Sequence, residues 1–216
     1  MLGISLRKFT GIALGTVLVG MAAFAPATIT FSNVTVTGSL VPLGNPGSWS
    51  FATGAQDIDF SFNHAIVGDV PSIALPPGTR SGTITITYIA TSTLPMVSNS
   101  MLVSLLGGLS GSGTVFFNEV IETTDMVPVT IGSHGVVLTG SSALPYTHTI
   151  NFSQEATQIK VKKTIILAAP ESGADILDLA SIGLVEQNIG VVPEPATMAV
   201  LALGAGALMA RRRRRA

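Results

Sequence analysis

The sequence predicts an all-β domain, an antiparallel β-sandwich or jelly roll, flanked by an N-terminal signal helix and a C-terminal short transmembrane helix. Three observations point there. Short runs rich in Thr, Val, Ile and Phe recur between clusters of Gly, Pro, Ser and Asn, the pattern of all-β folds. Several of these runs alternate apolar with polar residues, which suits antiparallel sheets wet on one side. No long segment between residues 28 and 192 carries a 3.6-residue apolar period.

Taken in order, strands are expected at Thr28–Thr37 and Ser48–Thr53. In Asp57–Phe62, Ile58, Phe60 and Phe62 face one way and the two aspartates the other. Thr83–Tyr88 sets Ile84, Ile86 and Tyr88 against a threonine face. Met101–Leu106, Gly113–Glu119, Val127–Ile131 and Val136–Thr139 follow, then the alternating Tyr146–Phe152 and Gln158–Leu167. Ala180–Glu186 reads as a closing strand, with a brief linker from Gln187 to Val192. Turn signals fall between these runs, at Pro76-Pro77-Gly78, Gly107-Gly108, Gly111-Ser112-Gly113 and Gly132-Ser133-His134-Gly135. No repeat of fixed period emerges, which argues against a solenoid.

The chain has 216 residues and no cysteine, with 47% hydrophobic and 11% charged residues. That length holds one domain with appendages and a sizeable core. Without cysteine there is no disulfide framework, thiolate zinc site or cysteine nucleophile. The net charge of −1 hides a segregation. Residues 1–27 carry +2, residues 193–216 carry +4, and the body between them carries −7. Ends of opposite charge to the middle serve a different purpose from it.

The N-terminus has a basic start with Arg7 and Lys8, an apolar run from Phe9 to Phe24, and then Ala25-Pro26-Ala27. This is the three-part pattern of a secretory signal peptide. Ala25 and Ala27 stand where a signal peptidase reads, so residues 1–27 are assigned as the signal peptide, cleaved before Thr28.

At the other end Pro193-Glu194-Pro195 leads into the uncharged run Ala196–Ala210 and then Arg211, Arg212, Arg213, Arg214 and Arg215. As a helix that run reaches about 22 Å, short of a ~30 Å hydrocarbon core. The arginines hold the end on the cytoplasmic side, while Glu194 and the prolines suit a helix start at the opposite surface. A short Ala-rich span of this kind is a handle for processing rather than a permanent anchor. Tripeptide, short span and arginine cluster in this order resemble the PEP-CTERM sorting signal of exported proteins of Gram-negative bacteria. The resemblance covers only the tail, residues 191–216, and leaves 28–190 as the β domain. It implies that an exosortase, a membrane protease-transpeptidase, recognises Pro193, Glu194 and Pro195, with the span and arginines as transfer stop. It also implies a link to exopolysaccharide, extracellular matrix and biofilm.

Candidate chemistry in the body is sparse. Of three histidines, His64 is expected at a strand end and His134 in a glycine-flanked turn. His148 shares a face with Tyr146, Ile150 and Phe152 and reads as a hydrogen-bonded, partly buried side chain. No two histidines show metal-ligand spacing. Asp57 and Asp59 lie about 7 Å apart on one strand face. Glu119, Glu122 and Asp125 cluster around an expected loop, and Asp175 with Asp178 make another pair. Such pairs serve as glycosidase acid and base, as calcium ligands, or simply as solvated charges that protect strand edges. Lys160 and Lys162 share a face while Lys163 points the other way, again read as edge protection. Gly107–Gly113 lacks the Lys-Ser/Thr ending of a phosphate loop. An acidic body disfavours nucleic acid.

Thr and Ser make up 39 of the 165 residues from 28 to 192, which gives a hydroxyl-rich surface as well as β-propensity. The expectation is therefore an exported, non-enzymatic envelope or matrix protein without catalytic residues, metal or cofactor. Its partners would be signal peptidase, exosortase, the inner membrane before processing, and exopolysaccharide. One alternative is a carbohydrate-binding module that uses Trp49, Tyr88 and Tyr146 as stacking platforms. A second is an extracellular hydrolase that uses paired carboxylates.

Overall fold

The computed structural model describes residues 27–41, 48–69, 79–105, 108–173 and 176–192. The expected signal peptide up to Pro26, with Ala25, and the tail from Pro193 to Ala216 lie outside them. So do the expected signal and transmembrane helices and Asp175.

Alternating sequence becomes strand throughout. In chain order the strands are β1 (Ile29–Thr37), β2 (Trp49–Thr53), β3 (Asp57–Gly68), β4 (Ser81–Ser104), β5 (Leu109–Ser110), β6 (Thr114–Thr123), β7 (Thr130–Thr139), β8 (Tyr146–Ala168) and β9 (Leu179–Val191). All pair antiparallel, in the order β2-β3-β9-β4-β8-β6-β7, with β1 added on β4 and β5 on β9.

Two of these strands are long enough to belong to two layers. The first half of β4 pairs with β1 and with the second half of β8, which also pairs with β6. Its second half pairs with β9 and with the first half of β8. One layer is therefore β1-β4-β8-β6-β7 and the other β2-β3-β9-β4-β8. The passage between layers is visible in the burial phase. Ile84, Ile86, Tyr88, Ala90 and Met96 are buried, then Asn99, Met101 and Val103. The phase slips by one residue where the register shifts around Met96, because an extra residue turns every later side chain to the other face. Pro95, which has no N–H for a ladder, sits at that slip. β8 slips likewise, from Ile150 to Ile159, Val161, Ile165 and Leu167.

Several expectations change as a result. Thr83–Tyr88 and Met101–Ser104 belong to one strand, as do Tyr146–Phe152 and Gln158–Leu167, while Leu106 lies outside the described residues. Val127–Val129 is an exposed loop, and the strand begins at Thr130. Residues Gln187–Val191 complete β9 instead of forming a linker. The closing strand itself is where the sequence placed it.

Between the layers lies one apolar core that includes Phe60, Phe62, Ile86, Phe117, Ile121, Val161, Ile165 and Val185. Each such side chain contributes roughly 1.5–3 kcal/mol on burial. Contacts bridge the layers directly, as where the Phe60 and Tyr88 rings lie 5.9 Å apart.

Candidate functional site

Antiparallel register places two ranks of mostly polar side chains on the outer face of the second layer. Asp57, Asn188, Ser100 and Thr149 stand opposite one another across β3, β9, β4 and β8. Asp59, Glu186, Leu102 and Thr147 form the adjoining rank. Together they line a trough of about 730 Å³. Ser100 and Thr149 hydroxyls bond at 2.9 Å. Partial burial and the neighbouring Asp57 carboxylate hold Asp59 above its ordinary carboxyl range, against a lowering hydrogen bond from the Gln187 backbone. Carboxylates, a carboxamide and hydroxyls give such a surface both donors and acceptors, the set that a polyhydroxylated ligand needs. The aspartates point outward as the alternation required. Glu186, Asn188, Ser100, Thr147 and Thr149 join them through cross-strand register, which no local pattern in the sequence discloses.

The other acidic groups are not a shared site. Glu119 lies in the middle of β6 with its side chain fully buried, rather than at a loop. Glu122 turns to the opposite face, across from Lys160, and Asp125 is exposed in the β6–β7 loop. Asp178 is buried and structural. It accepts hydrogen bonds from the Ser112 and Ser172 backbone N–H groups and from the Ser172 hydroxyl, all at 2.7 Å. These donors hold its carboxyl well below the usual range. Nearby, Arg80 pairs with Asp69 at 2.7 Å and with Glu171.

The histidines are also relocated. His64 lies within β3, and His134 is mid-strand in β7 instead of in a turn. His134 Nε2 bonds the Tyr146 hydroxyl at 2.8 Å, and its ring stacks on His148 with centroids 3.6 Å apart. Burial and the His148 charge push His134 below the ordinary imidazole value, partly offset by Glu119. Among the described residues no group of three or more His, Asp or Glu is placed to hold a metal ion.

The aromatic side chains do not form a platform over the trough. Tyr88 is fully buried, and Tyr146 is half-buried beside His134. Trp49 stacks on Phe51 at 6.2 Å and packs against the core on the inner side of edge strand β2.

Lys163 overturns its reading as an edge guard. It is fully buried in β8, directly across the ladder from Glu119, and its amine bonds Glu119 Oε1. Asn99 Nδ2 and Gln187 Nε2 donate to that same oxygen at 2.8 and 3.1 Å. Tyr88 Oη in turn donates to Gln187 Oε1 at 2.6 Å. Lys163 also lies 5.5 Å from the centre of the Phe117 ring.

Both ends of the body meet at one turn. Gln56, between β2 and β3, donates from Nε2 to the Ala27 carbonyl at 3.3 Å, while its own carbonyl accepts from Ile189 at 2.9 Å. Val192 N–H then bonds Pro95 O at 2.8 Å, where the tail departs. Residues 191–215 match the family model of the PEP-CTERM protein-sorting motif. The tail is a PEP-CTERM sorting signal. A PEP-CTERM motif implies export, surface sorting and processing by an exosortase. No protein of curated function matches the chain. Among solved structures, the chain is similar to TmCBM61 in complex with β-1,4-galactotriose, at 12% identity and a TM-score of 0.36, over 78% of this chain and 90% of that one. A family 11 carbohydrate-binding module from Clostridium thermocellum, in complex with a β-1,3-1,4-mixed-linked tetrasaccharide, gives 11% identity and a TM-score of 0.28, over 80% and 91%. Both likenesses are slight in sequence and in superposition.

Proposed function

We propose that this is an exported, non-enzymatic cell-envelope or extracellular-matrix protein, sorted through its PEP-CTERM tail by an exosortase and tied to exopolysaccharide or biofilm. The sorting motif at residues 191–215 carries the reading. One further feature supports it. The bonds at Gln56 bring Ala27, the last signal-peptide residue, to the turn that also binds the end of β9. Before processing, both cationic ends can therefore reach one membrane surface while the acidic body stays outside it. Mass spectrometry of the extracellular protein tests the proposal: a C-terminus near Pro193–Pro195 is expected, and an intact end at Ala216 overturns it.

A second reading is favoured by the trough. Its two mostly polar ranks, Asp57-Asn188-Ser100-Thr149 and Asp59-Glu186-Leu102-Thr147, suit the hydroxyls of a glycan chain running across the strands. Binding would be polar, since Trp49, Tyr88 and Tyr146 are engaged elsewhere. A glycan array probed with the full-length protein should show hits that weaken at least tenfold in the Asp59→Asn, Glu186→Gln double variant. An array without hits removes this reading and leaves the sorting one standing.

A further inference from the structure

The strongest unexplained feature of the body is a charged cluster sealed between its two layers. Asn99, Glu119 and Lys163 are each fully buried. They come from β4, β6 and β8, and one atom joins them: Glu119 Oε1 receives both the Lys163 amine and Asn99 Nδ2. Amine and carboxamide are thus no more than two hydrogen bonds apart. Two atoms of the cluster lack any partner, Asn99 Oδ1 and Glu119 Oε2. Buried unsatisfied polar atoms are rare in folded proteins and call for a reason.

We propose that Lys163 and Asn99 form an intramolecular amide bond, with loss of ammonia and with Glu119 as the proton carrier.

The environment prepares each partner. A lysine amine attacks only when neutral, and desolvation is the usual means of making it so. Burial pushes Lys163 down toward its neutral form, although the adjacent Glu119 charge and hydrogen bond oppose this. Transfer of one proton along the existing Lys163–Glu119 hydrogen bond converts a buried ion pair into an amine and a carboxylic acid, which a low dielectric tolerates better. The Asn99 amide has two orientations related by a half-turn of its side chain, nearly equivalent in shape. Turned over, it presents Oδ1 to the Glu119 acid. The acid proton then polarises the carbonyl and gives Asn99 Oδ1 the partner it otherwise lacks.

The bond changes balance without any outside reactant. The Lys163 Nζ lone pair attacks Asn99 Cγ, and the carbonyl π pair moves onto Oδ1 to give a tetrahedral centre. Glu119 moves a proton from Nζ to Nδ2, the Cγ–Nδ2 bond breaks, and the carbonyl re-forms. Of the five protons on the starting ammonium and carboxamide, three leave with ammonia, one stays on the new amide nitrogen and one remains on Glu119. The core is left without a formal charge. The linkage ties the second half of β4, in one layer, to the second half of β8, in the other. In a chain without cysteine it would supply a covalent tie between layers that no disulfide can.

Peptide mapping by mass spectrometry on the folded, full-length protein tests this, and it reads the cluster independently of processing at either terminus. The expected product is a branched peptide that joins Asn99 to Lys163 and is lighter by one ammonia, about 17 Da. Recovery of Asn99 and Lys163 in unlinked peptides from the folded wild-type protein overturns the proposal. Glu119→Gln should cut the branched yield at least tenfold in protein that keeps its β-sheet circular dichroism. An unchanged yield overturns the role given to Glu119. Because the wild-type map needs no variant, it decides whether the bond exists even if Glu119→Gln does not fold.

Discussion

The Tyr88 hydroxyl donates to Gln187 Oε1 at 2.6 Å across the interior, from one layer of the sandwich to the other. Both residues are buried, and Gln187 passes the chain of bonds on to Glu119. Tyr88 is held well above the ordinary phenol range by burial and by the Glu119 charge, so it keeps the proton that it donates to Gln187. Tyr88→Phe keeps the ring against Phe31 and Phe60 but leaves Gln187 Oε1 buried without a partner. A loss of about 1–3 kcal/mol is expected. Urea denaturation should show a lower midpoint with an unchanged slope.

The alternation of residues carried most of the β assignment, and it even held the interior charges. Lys163 is in phase with Ile159, Val161, Ile165 and Leu167, and Glu119 with Val115, Phe117 and Ile121. What local pattern could not give was the pairing of β6 with β8, which sets those two side chains opposite each other. Without that partner, a lysine on an apolar face reads as a surface exception. Likewise the phase slips in β4 and β8 look like strand ends, because Pro95 and the polar run Ser153–Thr157 resemble turns. The trough was half legible for the same reason: Asp57 and Asp59 are local, whereas Glu186 and Asn188 arrive from β9. In the tail the opposite holds. A linear motif is read in sequence order, so its meaning needs no fold.

Gly68 should be intolerant of any side chain. Its φ of +114° is one that L-residues rarely adopt, and a Cβ would stand 2.0 Å from the Asp178 carbonyl oxygen, a backbone atom. Gly68→Ala is expected to lose about 1–3 kcal/mol from backbone strain, with the clash added. Gly135 makes the control. Its Cβ would meet nothing closer than 3.5 Å, and alanine in a strand interior loses less chain entropy than glycine, a gain of roughly 0.5–1 kcal/mol. Thermal melts of the two variants should therefore move in opposite directions.

Within the trough, the raised Asp59 carboxyl depends first on its burial and then on Asp57. Asp57→Asn removes the charge and keeps the shape. The Asp59 titration midpoint, followed by side-chain carboxyl NMR, should fall toward its ordinary value without reaching it, because the burial remains. A midpoint unmoved by the substitution would show that the neighbouring Asp57 charge does not act on Asp59.

Acid should destabilise the body in two separate windows, and the sign follows from the folded-state shifts. His134 is held below 6.5 in the fold, chiefly by burial and then by the stacked His148. Below that pH the unfolded chain takes up a proton that the folded one resists, so stability drops as pH falls from about 6.5 toward the lower folded value. Asp178 is held below 3.8 by the hydrogen bonds from Ser112 and Ser172. Its contribution is complete above 3.8 and is lost only as pH falls beneath that value, again because the unfolded state binds the proton first. Urea midpoints measured from pH 7.5 to pH 2.5 should thus show one decline below about 6.5 and a further one below about 4. His134→Gln should flatten the first and leave the second. Asp178→Asn should lower stability across the whole range, since an amide cannot accept what three donors offer to a carboxylate, and should flatten the second.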